Sequence, residues 1–183
     1  MEDTWLDGWK SVAHEDVKKS IFNTISNYVG PVGTMLDIGC GIAREASMFQ
    51  REFGTKLYLL DGDFDSTKNN RRDIKYGPVD NFKFYSKIDD LKKFWDSQDM
   101  DYTFVDANNI LVDKDVKFDL IYSAVSCGFH YPVTTYKKLL TQHVHKDTKI
   151  ILDIRKDSDQ PGIEIVNIIS TTKKYITAEV KVL

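Results

Sequence analysis

The chain has 183 residues, 25 Lys+Arg against 28 Asp+Glu, and a formal net charge of −3. That length suits one ordinary domain; 42% hydrophobic and 29% charged residues exclude a disordered chain, and the slight acidic excess excludes a generally basic nucleic-acid surface. Two cysteines (Cys40 and Cys127), no apolar run near the ~20 residues of a membrane span, and a Met1-Glu2-Asp3 start unlike a signal peptide point to a reducing cytoplasm without a membrane partner.

Strand-like and helix-like segments alternate along the chain, which predicts an α/β fold with a mostly parallel sheet. Val17, Ile21, Phe22, Ile25, Tyr28 and Val29 recur at helical spacing until Gly30-Pro31. A buried strand, Met35 to Ile38, then runs into the turn Gly39-Cys40-Gly41. Next come a helix with Ala46, Phe49 and Phe53 on one face, closed by Gly54, and a second strand from Lys56 to Leu60, ending in Asp61-Gly62-Asp63. From 64 to 100 the pattern predicts a broken helix, a loop at Tyr76-Gly77-Pro78 and a helix carrying Ile88, Leu91, Phe94 and Trp95. A third strand, Tyr102 to Val105, ends at Asp106; a fourth, Phe118 to Ser123, precedes Cys127-Gly128-Phe129-His130. Pro132 opens a helix with Tyr136, Leu139, Leu140 and Val144 inward, and Lys149 to Ile154 is a fifth strand. The β-branched tail from Ile163 to Val182 predicts two antiparallel strands turning near Thr172-Lys173. The expected organisation is one domain over 1–183, with an N-terminal helical segment (1–30), a ligand-binding core (31–156) and the terminal strand pair (157–183).

Ligands of open α/β sheets sit at the carboxyl ends of the strands. The first strand delivers Asp37-Ile38-Gly39-Cys40-Gly41, whose glycines let the backbone approach a ligand without a Cβ in the way. The second delivers Asp61, whose carboxylate can accept both hydroxyl protons of a ribose, with Gly62 beside it. The third delivers Asp106-Ala107, with acceptors for an exocyclic amino group. These make a nucleoside site. Arg44 stands where a dinucleotide fingerprint needs its third glycine, and no Gly-Lys-Ser/Thr follows the turn. Asp37 favours a ligand bearing an ammonium or sulfonium over one bearing phosphates.

Leu36-Asp37-Ile38-Gly39-Cys40-Gly41-Ile42-Ala43-Arg44 resembles the first motif of the class I S-adenosylmethionine-dependent methyltransferases. Leu57 to Asp61 is similar to that family's second strand with its ribose-binding acid. Val105-Asp106-Ala107 resembles its adenine-binding step, and Phe118 to Ser123 its fourth strand. The resemblance runs from about Tyr28 to about Lys156. It implies a Rossmann-like, seven-stranded, mostly parallel sheet with a C-terminal antiparallel strand pair and helices on both faces. The implied cofactor is S-adenosyl-L-methionine, with Asp37, Gly39, Cys40, Gly41 and Arg44 on its methionine side. Asp61 and Gly62 would hold the ribose, Asp106 and Ala107 the adenine, and Ser123 and Ala124 would lie beneath the transferred methyl group. The implied activity is methyl transfer to a small molecule, or to an exposed oxygen or nitrogen of a larger acceptor, nucleic acid and protein included. Two departures stand out: Ala43 replaces the usual third glycine, and Ser123-Ala124-Val125-Ser126 replaces the N/D-P-P-Y/F motif of amino-methylating DNA enzymes.

Positioning alone contributes ~7–11 kcal/mol in favourable cases, so a base is needed only for a hydroxyl or a protonated amine. His130 is the candidate base. No metal is required, and His143 and His145 lack ligand-like spacing. Cys127 reads as a packed residue, Asp63 and Asp65 as helix caps, and Phe94 and Trp95 as core anchors. Trp5 and Trp9 form either a flap or a staple, and Lys68-Asn69-Asn70-Arg71-Arg72 either a substrate patch or a solvated loop. The alternatives are a catalytically silent cofactor-binding module and a nicotinamide-dependent oxidoreductase. Oligomeric state is not legible.

Overall fold

The computed structural model describes residues 12–63, 84 and 86–183, with the backbone alone for 12–15. The Trp5/Trp9 pair, Asp65, the run from Lys68 to Arg72 and the Tyr76-Gly77-Pro78 loop lie outside the described residues. Seven strands form one sheet: β1 (Thr34–Ile38), β2 (Lys56–Asp61), β3 (Tyr102–Asp106), β4 (Phe118–Ser123), β5 (Val144–Arg155), β6 (Ile163–Thr171) and β7 (Tyr175–Val182). Their order is β3-β2-β1-β4-β5-β7-β6. β1 to β5 pair in parallel and β7 runs antiparallel between β5 and β6, the arrangement expected from the terminal strand pair.

The central strands are apolar on both sides because both sides are covered. Leu36, Ile38, Tyr58 and Leu60 face one cluster, and Met35, Leu57 and Leu59 face the other. Three helices cover the second: α1 (Val12–Val29) through Phe22 and Ile25, α2 (Arg44–Phe53) through Ala46 and Phe49, and α3 (Ile88–Ser97) through Leu91 and Trp95. The first is covered by a 3-10 turn (Val133–Tyr136) leading into the short α4 (Lys137–Gln142), through Tyr136, Leu139 and Leu140. Helices therefore flank both faces, three on one and one on the other among the described residues.

Three local expectations are corrected. Val17 is 58% exposed rather than inward, because the buried stripe of α1 runs through Phe22 and Ile25. Val144 belongs to β5, not to the preceding helix, which stops at Gln142. The fifth strand starts at Val144 rather than Lys149 because Val144 pairs with Phe118 and an irregularity absorbs the polar residues between. Thr148 Oγ1 bridges that irregularity, donating to Phe118 O at 2.6 Å while accepting from His145 N at 2.8 Å.

The amino ends of the strands are tied by side chains. Asp119 Oδ2 accepts from Thr34 N at 2.8 Å and Gly33 N at 3.1 Å, its Oδ1 meets His145 Nε2 at 3.0 Å, and His143 Nδ1 meets Val116 O at 2.9 Å. Both histidines are thus structural and stand at the end of the sheet opposite Asp37 and Asp61. No helix among the described residues is long and apolar enough to cross a membrane.

Phe49 is fully buried and meets Phe22 edge-on, with ring centroids 5.0 Å apart. Phe49→Ala is expected to cost about 3–5 kcal/mol in urea unfolding, whereas Val17→Ser should stay within about 0.5 kcal/mol.

Candidate functional site

Strands β1 to β5 are all parallel, but β2 and β3 are added on one side of β1 and β4 and β5 on the other, so the strand order reverses between β1 and β4. A crevice opens at such a reversal, at the carboxyl ends of the strands. Asp37 ends up buried there, and Asp61 and Asp106 are register partners on adjacent strands.

The turn after β1 is held from three sides. Gly39 N and Cys40 N both donate to Leu60 O, at 2.8 and 3.1 Å. Gly41 N donates to Asp61 Oδ2 at 2.7 Å, and the indole of Trp95 donates to Gly41 O at 3.1 Å. Gly39, Gly41 and Ala43 have φ of 69°, 51° and 50°. The family's preference for glycine at position 43 thus has a backbone reason, and Ala43 takes that left-handed conformation at a cost of about 1 kcal/mol. Carbon added at Gly41 would meet nothing within 4 Å among the described residues. At Gly39 the expected clear approach is corrected: an added Cβ would overlap Cβ and Oγ of Ser126, which pack against that glycine.

Asp61 is 9% exposed, and its second oxygen accepts from Gly62 N at 2.8 Å. The Phe84 ring lies so close over Gly62 that a Cβ there would collide with it. Ala107 N donates to Asp61 O at 2.9 Å, and the exposed Asp106 turns its Oδ1 to Asn108 N at 2.8 Å. Burial raises the Asp61 carboxyl to about 6, against the pull of the Gly41 and Gly62 amides. Asp37 is also raised, by burial first and then by Glu45. Lys18 of α1 pairs with buried Glu45 at 2.8 Å, and its charge partly opposes the rise at Asp37.

The other sequence-predicted residues stand in differing surroundings. Cys40 Sγ lies 3.9 Å from Asp61 Oδ2, and burial pushes its thiol up. Arg44 is buried and faces the groove between α2 and α3, beside Ser47, Arg51 and Phe94. Ser123 is fully buried; its hydroxyl donates to Ile38 O at 2.7 Å and accepts from Cys127 N at 2.8 Å, fastening the loop after β4 to the end of β1. Ala124 packs against the three-helix cluster. Half-buried His130 sits on that loop, its N–H on Ser126 O at 2.8 Å and its ring edge-on to Phe129. Asp63 caps α3 by accepting from Ile88 N at 3.0 Å, and Cys127 is fully buried. Among the described residues no group of three or more His, Cys, Asp or Glu could hold a metal ion.

Residues that sequence reading missed are Lys18, Glu45, Phe84, Ser126 and Asp153. Asp153 carried a legible signal, because it stands near the carboxyl end of β5 as Asp37, Asp61 and Asp106 stand on theirs. Phe84 lies in a stretch without periodicity and carried none.

Strand order and turn together define a class I methyltransferase fold, and solved structures agree. No protein-family model and no curated protein matches the chain. A methyltransferase from Pyrococcus furiosus is similar at a TM-score of 0.57 and 15% identity, over 89% of this chain and 81% of that one. The PH0226 protein from Pyrococcus horikoshii OT3 is similar at 0.61 and 11%, over 93% and 92%. The plantazolicin methyltransferase BpumL, in complex with a triazolic desmethylPZN analog and SAH, is similar at 0.55 and 13%; the match covers 84% of this chain but 52% of BpumL.

Because Asp61 stays protonated to a higher pH folded than unfolded, the folded chain holds a proton that the unfolded chain releases between pH 3.8 and about 6. Its contribution to stability is fully present below that window and lost as pH rises through it. Buried Asp37 and Asp153 are raised as well and act with the same sign, so in urea titrations Asp61→Asn should lose less stability between pH 4 and 6.5 than the wild-type chain, by on the order of 2 kcal/mol.

Proposed function

We propose that this protein is an S-adenosylmethionine-dependent methyltransferase of a small molecule, or of an exposed oxygen or nitrogen on a larger acceptor. The observation that carries the reading is the excess of buried carboxylates around an open glycine turn. Glu45 and Asp61 lie close enough to raise Asp37, and burial holds the Asp37 and Asp61 carboxyls above their ordinary range. Such a site gains most from a ligand that brings positive charge, and a sulfonium with an ammonium does so where a pyrophosphate does not. The same fold in structures bound to SAH supports the choice.

When bound, the cofactor supplies a methyl group already activated on sulfur. The protein's work is then alignment. Gly41 offers backbone that a ligand can approach without meeting a side chain of the described residues. Asp61 has one amide on each carboxylate oxygen, and since a carboxylate offers about four lone-pair sites it can still accept two ribose hydroxyls. Asp106, one strand over, is exposed and acceptor-rich at the level of the base, with buried Ala107 beside it. Ser123 acts through the backbone, by fixing the carboxyl ends of β1 and β4 to one another. Where the acceptor is a hydroxyl or a protonated amine, His130 is the side chain to take its proton. The cytoplasm is the compartment proposed, and 1–183 the catalytic domain.

Four measurements test this. At 100 times its dissociation constant S-adenosylhomocysteine (SAH) should stabilise the chain by ~2.7 kcal/mol, and NAD should not; a shift with NAD alone would overturn the reading. Incubation with S-adenosylmethionine and candidate acceptors should release SAH detectable by mass spectrometry, and its absence with every acceptor would favour a silent binding module. Asp61→Ala should remove most SAH affinity with the fold intact. In the wild-type chain, affinity should fall by roughly tenfold per pH unit below the Asp61 value of about 6, since the protonated carboxyl no longer accepts both hydroxyls.

A further inference from the structure

The loop between β4 and the 3-10 turn carries a strain that the reading above leaves unexplained. Val125 has φ 55°, a left-handed conformation that β-branched side chains avoid. Such an outlier persists only where its surroundings over-determine it. Here they do. Val125 N donates to Asp153 Oδ2 at 3.1 Å, and Thr177 Oγ1 donates to Asp153 Oδ1 at 2.7 Å. Asp153 is 5% exposed and Thr177 6%, so neither bond is made for water's convenience. Directly after Val125 comes Ser126, whose side chain fills the Cβ direction of Gly39 and whose carbonyl oxygen accepts from the amides of Phe129, His130 and Tyr131. Gly128 O in turn accepts from Arg155 N at 3.1 Å and Gln160 Nε2 at 3.0 Å, closing the loop onto the end of β5.

We propose that Asp153 is a positioning residue. By holding Val125 left-handed, it seats Ser126 on Gly39 and so shapes the methionine end of the cofactor site; this rests on the methyltransferase reading. Its carboxylate is placed to do this because β7 supplies Thr177 as its register partner, which fixes the second oxygen.

Asparagine at 153 can remake both bonds, its oxygen toward Val125 and its amide nitrogen toward the Thr177 hydroxyl, whereas alanine makes neither. The test compares Asp153→Ala, Asp153→Asn, Thr177→Val and Asp153→Ala/Val125→Gly by calorimetry with SAH and by amide exchange. Asp153→Ala should weaken SAH by roughly tenfold and speed exchange at Phe129, His130 and Tyr131 by a similar factor. Asp153→Asn should stay within about twofold of wild type in both. Glycine at 125 removes the steric objection to a left-handed residue, so the double variant should regain affinity without regaining the lost melting temperature. A residue that merely stabilises the fold would move the melting temperature alone. Should Asp153→Ala not fold, Thr177→Val carries the same expectation at smaller amplitude. Wild-type affinity and exchange in Asp153→Ala or Thr177→Val, or equal losses in the alanine and asparagine variants, would overturn the proposal. If the wild-type chain binds no SAH, the cofactor reading fails and takes the affinity half of this proposal with it; slowed or unchanged exchange in Asp153→Ala would then overturn the loop-holding half separately.

Discussion

A carboxylate held out of water at the end of β2 is the constraint around which the site is built. Asp61 takes one backbone amide on each oxygen, Gly41 from the turn after β1 and Gly62 from its own strand end. Two consequences follow from that bridge. It sets the distance between the glycine turn and the second strand, and it holds a turn whose backbone is left-handed at residues 39, 41 and 43. The amides only partly offset the cost of burial, which is why the group remains a weak acid for a folded carboxyl. A ligand that brings positive charge and hydroxyl donors would relieve that cost further, and the glycine turn leaves it a way in.

The neighbouring charges are arranged to the same effect. Glu45 and Lys18 pair across α2 and α1, so the first helix delivers an ammonium to the edge of the acid cluster without neutralising Asp37 and Asp61 together. Trp95 reaches from α3 to Gly41 O, and Leu60 O receives two amides of the turn. All three helices that do this lie on one face of the sheet. The glycine turn is therefore a wall held on the side of α1, α2 and α3.

The opposite wall is made differently. On the other face, among the described residues, α4 and its 3-10 turn are the helical elements that pack, and the connection after β4 is a loop pinned by hydroxyls and a carboxylate. Ser123 fastens that loop to β1, and Asp153 fastens it to β5. Short polar contacts take the place that a longer helix would fill by packing. Such a wall can be reshaped by single hydrogen bonds, whereas the helical wall responds to changes of side-chain volume.

Much of this was legible in the residues themselves. The alternation of segments and the Val/Ile/Leu content of the strands foretold a parallel sheet, because strands covered on both faces read as continuous apolar runs. Asp37, Asp61 and Asp106 could be placed at strand ends because a strand's carboxyl end is a local property, marked where the apolar run stops. What neighbours those ends is not local. Ser126 on Gly39, Phe84 on Gly62, Lys18 beside Glu45 and Thr177 on Asp153 join residues separated by tens of positions, and no period or spacing announces such pairs. The start of β5 at Val144 and the outward turn of Val17 were likewise decided by what each met across the sheet or the helix interface. Sequence determined the strands and the acids that close them; the tertiary structure alone decided which backbone, ring and hydroxyl each acid would meet, because contact between distant segments exists only once the sheet has assembled.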